Sequence, residues 1–273
     1  MNSVKGVVFK CCLAVLVWFA VNGNAEASER KVALVIGNSQ YASAPLRNAL
    51  QDARLIASSL QSLGYQVKLL ENKNQREMIV GMEDFWRMGR DADVRVFFFA
   101  GHGLQYHGKN YLIPVDAVIN YEHEISPRSV SVDDLLQRLG SYKTGVNILM
   151  VDACRAYPIP KNIDPGLGRI GGTKKRSLFD KPGGLAAQTA PQGTLIAYST
   201  APGELAFDGK EAVSPYAQAL SKHIQTPGLH VEQMFKRIRV DVLKATDGAQ
   251  TPWESNNLIG DFCFTPGHRG RCL

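Results

Sequence analysis

Residues Val146 to Arg155 read VNILMVDACR. An apolar run too short to cross a membrane changes abruptly to Asp152, Ala153, Cys154 and Arg155. Such a run, bounded by polar residues, fits a strand buried on both faces, as in a parallel sheet. In open α/β sheets ligands bind outside the carboxyl ends of the strands. The spacing therefore places a thiol, flanked by a carboxylate and a guanidinium, where chemistry takes place. Taken alone, the stretch favours a simpler reading of Cys154 as a small buried hydrophobe, since free cysteine is usually buried and inert.

A second stretch shifts that balance. Val94 to Ala100 (VRVFFFA) is another apolar run, and it ends in Gly101-His102-Gly103. The flanking glycines are expected to let the backbone turn sharply and a ligand approach. If the two strands are parallel neighbours, His102 and Cys154 leave the same sheet edge. A thiol beside an imidazole is the arrangement that activates a nucleophilic cysteine.

The chain has 273 residues, compatible with one large α/β domain. Its first 27 residues stand apart. Lys5 and Lys10 precede a nearly continuous apolar run, Val7–Val21, and Ala25-Glu26-Ala27 offers a small-residue cleavage site, the form of a secretory signal peptide. Export to a periplasmic or extracellular space is expected, with no stable membrane anchor. Cleavage would remove Lys5, Lys10 and Glu26 and bring the formal net charge from +6 to +5. That mild basicity is concentrated nowhere except around Lys174 to Arg176, so nucleic acid is not an expected partner. Cys154, Cys263 and Cys272 remain after cleavage. In a disulfide-permissive compartment, Cys263 and Cys272, bracketing a short Pro/Gly-containing tail, are expected to pair. The odd thiol left over is then Cys154.

Between these landmarks the pattern alternates strand and helix. KVALVIG (31–37) reads as the first strand, and apolar positions from Leu46 to Leu60 follow helical spacing. Tyr65–Leu70 reads as a strand, and Asn74 with Glu77 as a capping box opening a second helix. After His102, residues 104–114 read as a hairpin around Gly108, and 119–131 as a polar loop. A short helix capped by Ser131 precedes the Val146 strand. Residues 156–192 form a long irregular segment. GTLIAYS (193–199) reads as a strand, Ser214-Pro215 and Val231 as helix starts, and 257–264 as the last strand. Such β-α-β units favour a parallel sheet with right-handed crossovers.

The chain resembles the caspase family of cysteine peptidases, most of all its bacterial metacaspase and orthocaspase branch. The residues that carry the likeness are KVALVIGNSQY at the first strand, FFFAGHG at His102, VDACR at Cys154 and AYSTAPGELAFDG around Asp208. The family's histidine lies about 50 residues before its cysteine, as here. The resemblance spans about Lys31 to Phe264. It implies a three-layer α/β/α sandwich on a central, mostly parallel six-stranded sheet, with a peptidase domain over 28–264 and a tail over 265–273.

It also implies an endopeptidase acting through an acyl-enzyme. Cys154 would be the nucleophile, His102 the general acid, and the N–H groups of Gly103 and Cys154 the oxyanion hole. Asp152 stands where aspartate-cutting relatives have glutamine, and Asp208 where they have a specificity arginine. Both changes make the first specificity pocket acidic and point to Arg or Lys before the scissile bond in a peptide substrate. Arg169, Lys174, Lys175 and Arg176 are candidate autoprocessing sites. Ala156 departs from the glycine common in relatives, and the Ser-Gly after the metacaspase cysteine motif is absent. Asp91, Asp93, Asp133 and Asp134 lack the ordered spacing of a calcium loop. No metal or other cofactor is expected to be required, with calcium activation left open, and a monomer is expected. The contrasting reading is a non-catalytic caspase-like scaffold or binding module. A weaker one is a hydrolase of non-peptide acyl groups.

Overall fold

The computed structural model describes residues 29–154, 185–204, 206 and 211–272, with Cys154 described by its backbone alone. Residues 1–27, expected from the sequence to be a signal peptide, and Arg155, Arg169, Lys174, Lys175, Arg176 and Asp208 lie outside the described residues, as does most of segment 156–192.

The non-alternating apolar runs become central strands because both of their faces are covered. β1 (Lys31–Gly37), β3 (Val94–Tyr106), β6 (Val146–Cys154) and β7 (Thr194–Tyr198) fill the middle of the sheet. β2 (Gln66–Glu71) and β8 (Trp253–Asn256) are its edges. The order is β2-β1-β3-β6-β7-β8, parallel throughout except for the antiparallel β7–β8 pair. Two short strands, β4 (Lys109–Leu112) and β5 (Val130–Ser131), extend the far end of β3 outside this six-strand path.

Successive residues of β3 point to opposite faces and build two separate cores. Phe98 and Ala100 pack with α1 (Ala49–Ser62), α5 (Pro215–Ile224) and α6 (Val231–Ala245). Phe97 and Phe99 pack with α2 (Gln75–Met88) and α4 (Val132–Gly140). Each of these fully buried phenyl rings contributes about 1.5–3 kcal/mol of apolar burial. The result is the three-layer α/β/α sandwich. Three of the helix starts follow side-chain capping: Asn74 and Glu77 form a reciprocal box at α2, Ser131 accepts from the Asp134 N–H at α4, and Ser214 from the Ala217 N–H at α5.

Three sequence expectations need correction. The backbone does not turn at Gly101-His102-Gly103. β3 runs straight through to Tyr106, and the turn comes at His107-Gly108, both with positive φ, before β4. The Gly101 requirement is space, since a Cβ there would lie 2.7 Å from the Tyr41 hydroxyl and 2.6 Å from Phe99. Residues 119–131 are not simply a loop. They hold a 3₁₀ turn (Glu122–Glu124), the one-turn helix α3 (Ile125–Arg128) and β5. The last strand is Trp253–Asn256 rather than 257–264. Its WESN sequence has a single apolar residue, because an edge strand needs little burial. Phe262 and Phe264 instead pack as a T-shaped pair into the α1/α5/α6 core without joining the sheet. Cys263 is disulfide-bonded to Cys272, with Cα atoms 5.7 Å apart. Among the described residues no helix is long and apolar enough to cross a membrane.

Candidate active site

The chain leaves β1 for β2 on one side and later returns to β3 on the other, so strand order reverses between β1 and β3. Crevices at such switch points, outside the carboxyl ends of the strands, are where α/β sheets bind ligands. The loop after β1 is held firmly there. Buried Asn38 accepts from the Lys73 N–H at 2.9 Å and donates to the Ile113 carbonyl at 3.3 Å. The Asn72 side-chain oxygen accepts from the Ser39 and Gln40 N–H groups at 2.9 and 3.0 Å.

This fixed loop carries Tyr41 and Ala44 over β3. The Tyr41 hydroxyl accepts from the His102 main-chain N–H at 2.9 Å and donates to the Ile113 carbonyl at 3.0 Å. The phenol ring lies 4.4 Å, centroid to centroid, from the imidazole. His102 Nε2 is 2.7 Å from the Ala44 carbonyl oxygen. A carbonyl only accepts, so Nε2 carries the proton, and in the neutral ring Nδ1 is the basic nitrogen. The imidazole is 1% exposed.

β3 and β6 pair in parallel, and the register makes His102 the Cα partner of Cys154 and Ala100 the partner of Asp152. With the two-residue alternation of a strand, positions 152, 154, 100 and 102 share the α1/α5/α6 face. Gly103 falls on the other face, where a Cβ would lie 3.1 Å from Ala153 and 3.3 Å from Leu185. The crowding that glycine avoids there thus involves the protein's own side chains. Leu185 begins the described strap after the segment following Cys154. The strap is clamped by Asn110, which accepts from the Ala186 N–H at 2.7 Å and donates to its carbonyl at 2.8 Å.

Asp152, 7% exposed, accepts from the Ser214 hydroxyl at 2.6 Å. Ser214 is also the cap of α5, and its N–H donates to Asp52 at 2.8 Å. One serine thus joins two buried carboxylates, Asp152 from β6 and Asp52 from α1. Asp52 is 3% exposed and shares the buried stripe of Ala49, Ala53 and Ile56. Sequence reasoning counted that stripe only for its apolar members. The signal for Asp52 was an acidic residue one position before Ala53, inside the core-facing spacing. Tyr41 was read as loop and Ser214 as a cap alone, since contacts between elements leave no local pattern. Burial, then the carboxylates of Asp152 and Glu254, push the Tyr216 phenol well above its ordinary pKa, so it stays neutral beside the pair. Glu204 is exposed. Among the described residues no group of three or more His, Cys, Asp or Glu side chains is arranged to hold a metal ion.

The sheet and the strand-end constellation define a three-layer α/β/α sandwich with a histidine and a cysteine on adjacent strand ends. The sequence of residues 30–263 matches the family model described as the caspase domain. The chain belongs to that family of cysteine peptidases. It is 30% identical to human mucosa-associated lymphoid tissue lymphoma translocation protein 1 over 126 residues, which is 46% of the chain and 15% of that protein. It is 24% identical to cell death protein 3 of Caenorhabditis remanei over 275 residues, 90% of the chain and 52% of the relative. With Caspase-1 of Rattus norvegicus it shares 23% identity over 254 residues, 87% of the chain and 60% of the relative. The chain therefore spans less than two thirds of the length of each of these relatives.

Proposed function

We propose that the chain is a cysteine endopeptidase in which Cys154 and His102 cut peptide bonds after Arg or Lys. The observation that carries this reading is the register of β3 and β6, which pairs the two residues at the carboxyl ends of neighbouring parallel strands. The Cys154 thiolate attacks the scissile carbonyl, and the N–H groups of Gly103 and Cys154 stabilise the oxyanion, each donor contributing about 3 kcal/mol. His102, with Nε2–H held by the Ala44 carbonyl, takes the Cys154 thiol proton on Nδ1 as the thiolate forms and then passes that proton to the leaving amine. Water then attacks the thioester, His102 takes its proton, and the thiolate is released.

Preference for a basic side chain before the scissile bond is supported by the two carboxylates joined at Ser214, because a guanidinium or ammonium complements both charges. Asp208 is proposed as a further acidic contact, and Arg169, Lys174, Lys175 and Arg176 as self-cleavage sites matching that preference. Export of the chain after removal of residues 1–27 and action as a monomer, without a required metal, complete the proposal. The test is hydrolysis of fluorogenic peptides carrying Arg, Lys or Asp before the reporter, with a thiol titration on the same sample. Cleavage of the Arg and Lys peptides alone is the expected result. Cleavage of the Asp peptide would overturn the specificity, and hydrolysis of none by folded protein with a titratable thiol would indicate a binding module.

A further inference from the structure

The start of β3 carries the largest fully buried side chain of the described residues, Arg95, 1% exposed. Its Nε donates to the Gly89 carbonyl at 2.6 Å and its Nη1 to the Thr144 carbonyl at 3.0 Å. The guanidinium lies 3.9 Å from the centroid of the Tyr142 ring. Among the described residues no carboxylate lies within ion-pair distance of it. The cation thus touches neutral partners only, with the carboxylates of Asp93 and Asp91 acting on it from beyond ion-pair distance, an arrangement that still favours negative charge nearby.

Tyr142 is also a wall of a cleft of about 400 Å³ between the C-terminal ends of α2 and α4. Trp86 lines it too, and its carbonyl accepts from the Tyr142 hydroxyl at 3.1 Å. The rim carries Arg87, Arg90 and Arg138, with Glu83 the single acidic residue of the lining. Arg87 is shared with Asp84, while Arg90 and Arg138 have no carboxylate within ion-pair distance among the described residues. Volumes of this size hold small ligands, and arginine forks match the oxygens of phosphate.

We propose that this cleft binds a small phosphate-bearing anion, held by Arg90, Arg138 and Arg87 over the Tyr142 ring, with the buried charge of Arg95 behind it. The site is separate from the peptidase centre. Arg95 and His102 lie on the same strand seven residues apart, which is about 23 Å, so an occupant here is an effector or passenger and not the peptide being cut. The proposal does not depend on the catalytic assignment.

The test is calorimetric titration of the full chain, in low-salt buffer with a chelator, using inorganic pyrophosphate and, separately, ADP as probes. Saturable binding at or below about 1 mM is expected for at least one probe. Arg138→Gln with Arg90→Gln should weaken it about tenfold or more. The charge-matched control Arg237→Gln, on the outer face of α6, should leave it within about twofold. Tighter binding of ADP would place a planar ring against Tyr142, and equal binding would assign recognition to the phosphates alone. No saturation by about 5 mM for either probe, or equal weakening by Arg237→Gln, would overturn the site. Unchanged thermal midpoints in the variants guard against a folding artefact.

Discussion

The paired strands β3 and β6 carry buried polar residues at both ends, and the two ends use them differently. At the start, Arg95 is the Cα partner of Asn147. Their donors go mostly to main-chain oxygens, Arg95 to those of Gly89 and Thr144 and Asn147 to those of Leu139 and Gly193, with one longer contact of 3.5 Å from Arg95 to the Asn147 side-chain oxygen. They tie the strand entries to the neighbouring loops, adding second donors to carbonyls such as those of Gly89, Leu139 and Gly193 that already accept a main-chain N–H. At the finish, His102 faces Cys154 and Ala100 faces Asp152. There Ser214 links buried carboxylates from two elements, its hydroxyl to Asp152 of β6 and its N–H to Asp52 of α1. Burial of a polar group therefore does not mark a reactive site by itself. Convergence of side chains at the carboxyl edge does.

Mutation at either end separates these roles. Cys154→Ala should cost at least about 10⁴-fold in kcat/KM while leaving the thermal midpoint unchanged. A variant that retained activity would remove the contrast altogether. Arg95→Met should do the reverse. Loss of its two main-chain hydrogen bonds and of its stacking on Tyr142 is expected to lower stability by about 3 kcal/mol in chemical denaturation, with the folded fraction still active. Asp52→Asn keeps the shape and the Ser214 contact but removes a charge. It should reduce kcat/KM for Arg peptides by about 30-fold, mostly in KM, with little change in stability. Tyr41→Phe retains the ring against His102 and loses the hydroxyl that holds the His102 N–H and the Ile113 carbonyl. A fall of about tenfold in kcat at constant KM is expected, whereas a purely structural tyrosine would change the melting temperature alone.

The smallest effect extends the comparison along α5, whose first residue follows Ser214. At its other end Lys222 and then His223 hold the Asp241 carboxyl below the ordinary aspartate range. A depressed folded pKa stabilises the fold above the unfolded value, and that contribution is lost as pH falls through the folded one. Acid denaturation curves of Asp241→Asn should be slightly flatter below the normal aspartate pKa, with the pH profile of hydrolysis unaltered. A shifted activity profile would show that the two ends of α5 communicate.

Much of this was legible in the chain itself. The apolar runs at Lys31, Val94 and Val146, the capping box at Asn74 and the caps at Ser131 and Ser214 are local patterns, and they set the layers and their order. β8 was missed because an antiparallel edge strand such as WESN needs no hydrophobic alternation. Straight passage of β3 through Gly101 and Gly103 was missed because glycine signals turns and close approaches alike. The Tyr41–His102 and Asp52–Ser214–Asp152 contacts join residues separated by 61 and by 162 and 62 positions. Contacts of that range exist only after the sheet has assembled, so no window of sequence contains them.

The Cys263–Cys272 bridge bears on how the chain acquires its covalent form under oxidising conditions. Its partners are 9 residues apart, whereas Cys154 is roughly 110 residues from either, and loop-closure entropy favours the near encounter by about 2 kcal/mol. Under such conditions the tail sulfurs thus find each other before Cys154 reaches either of them.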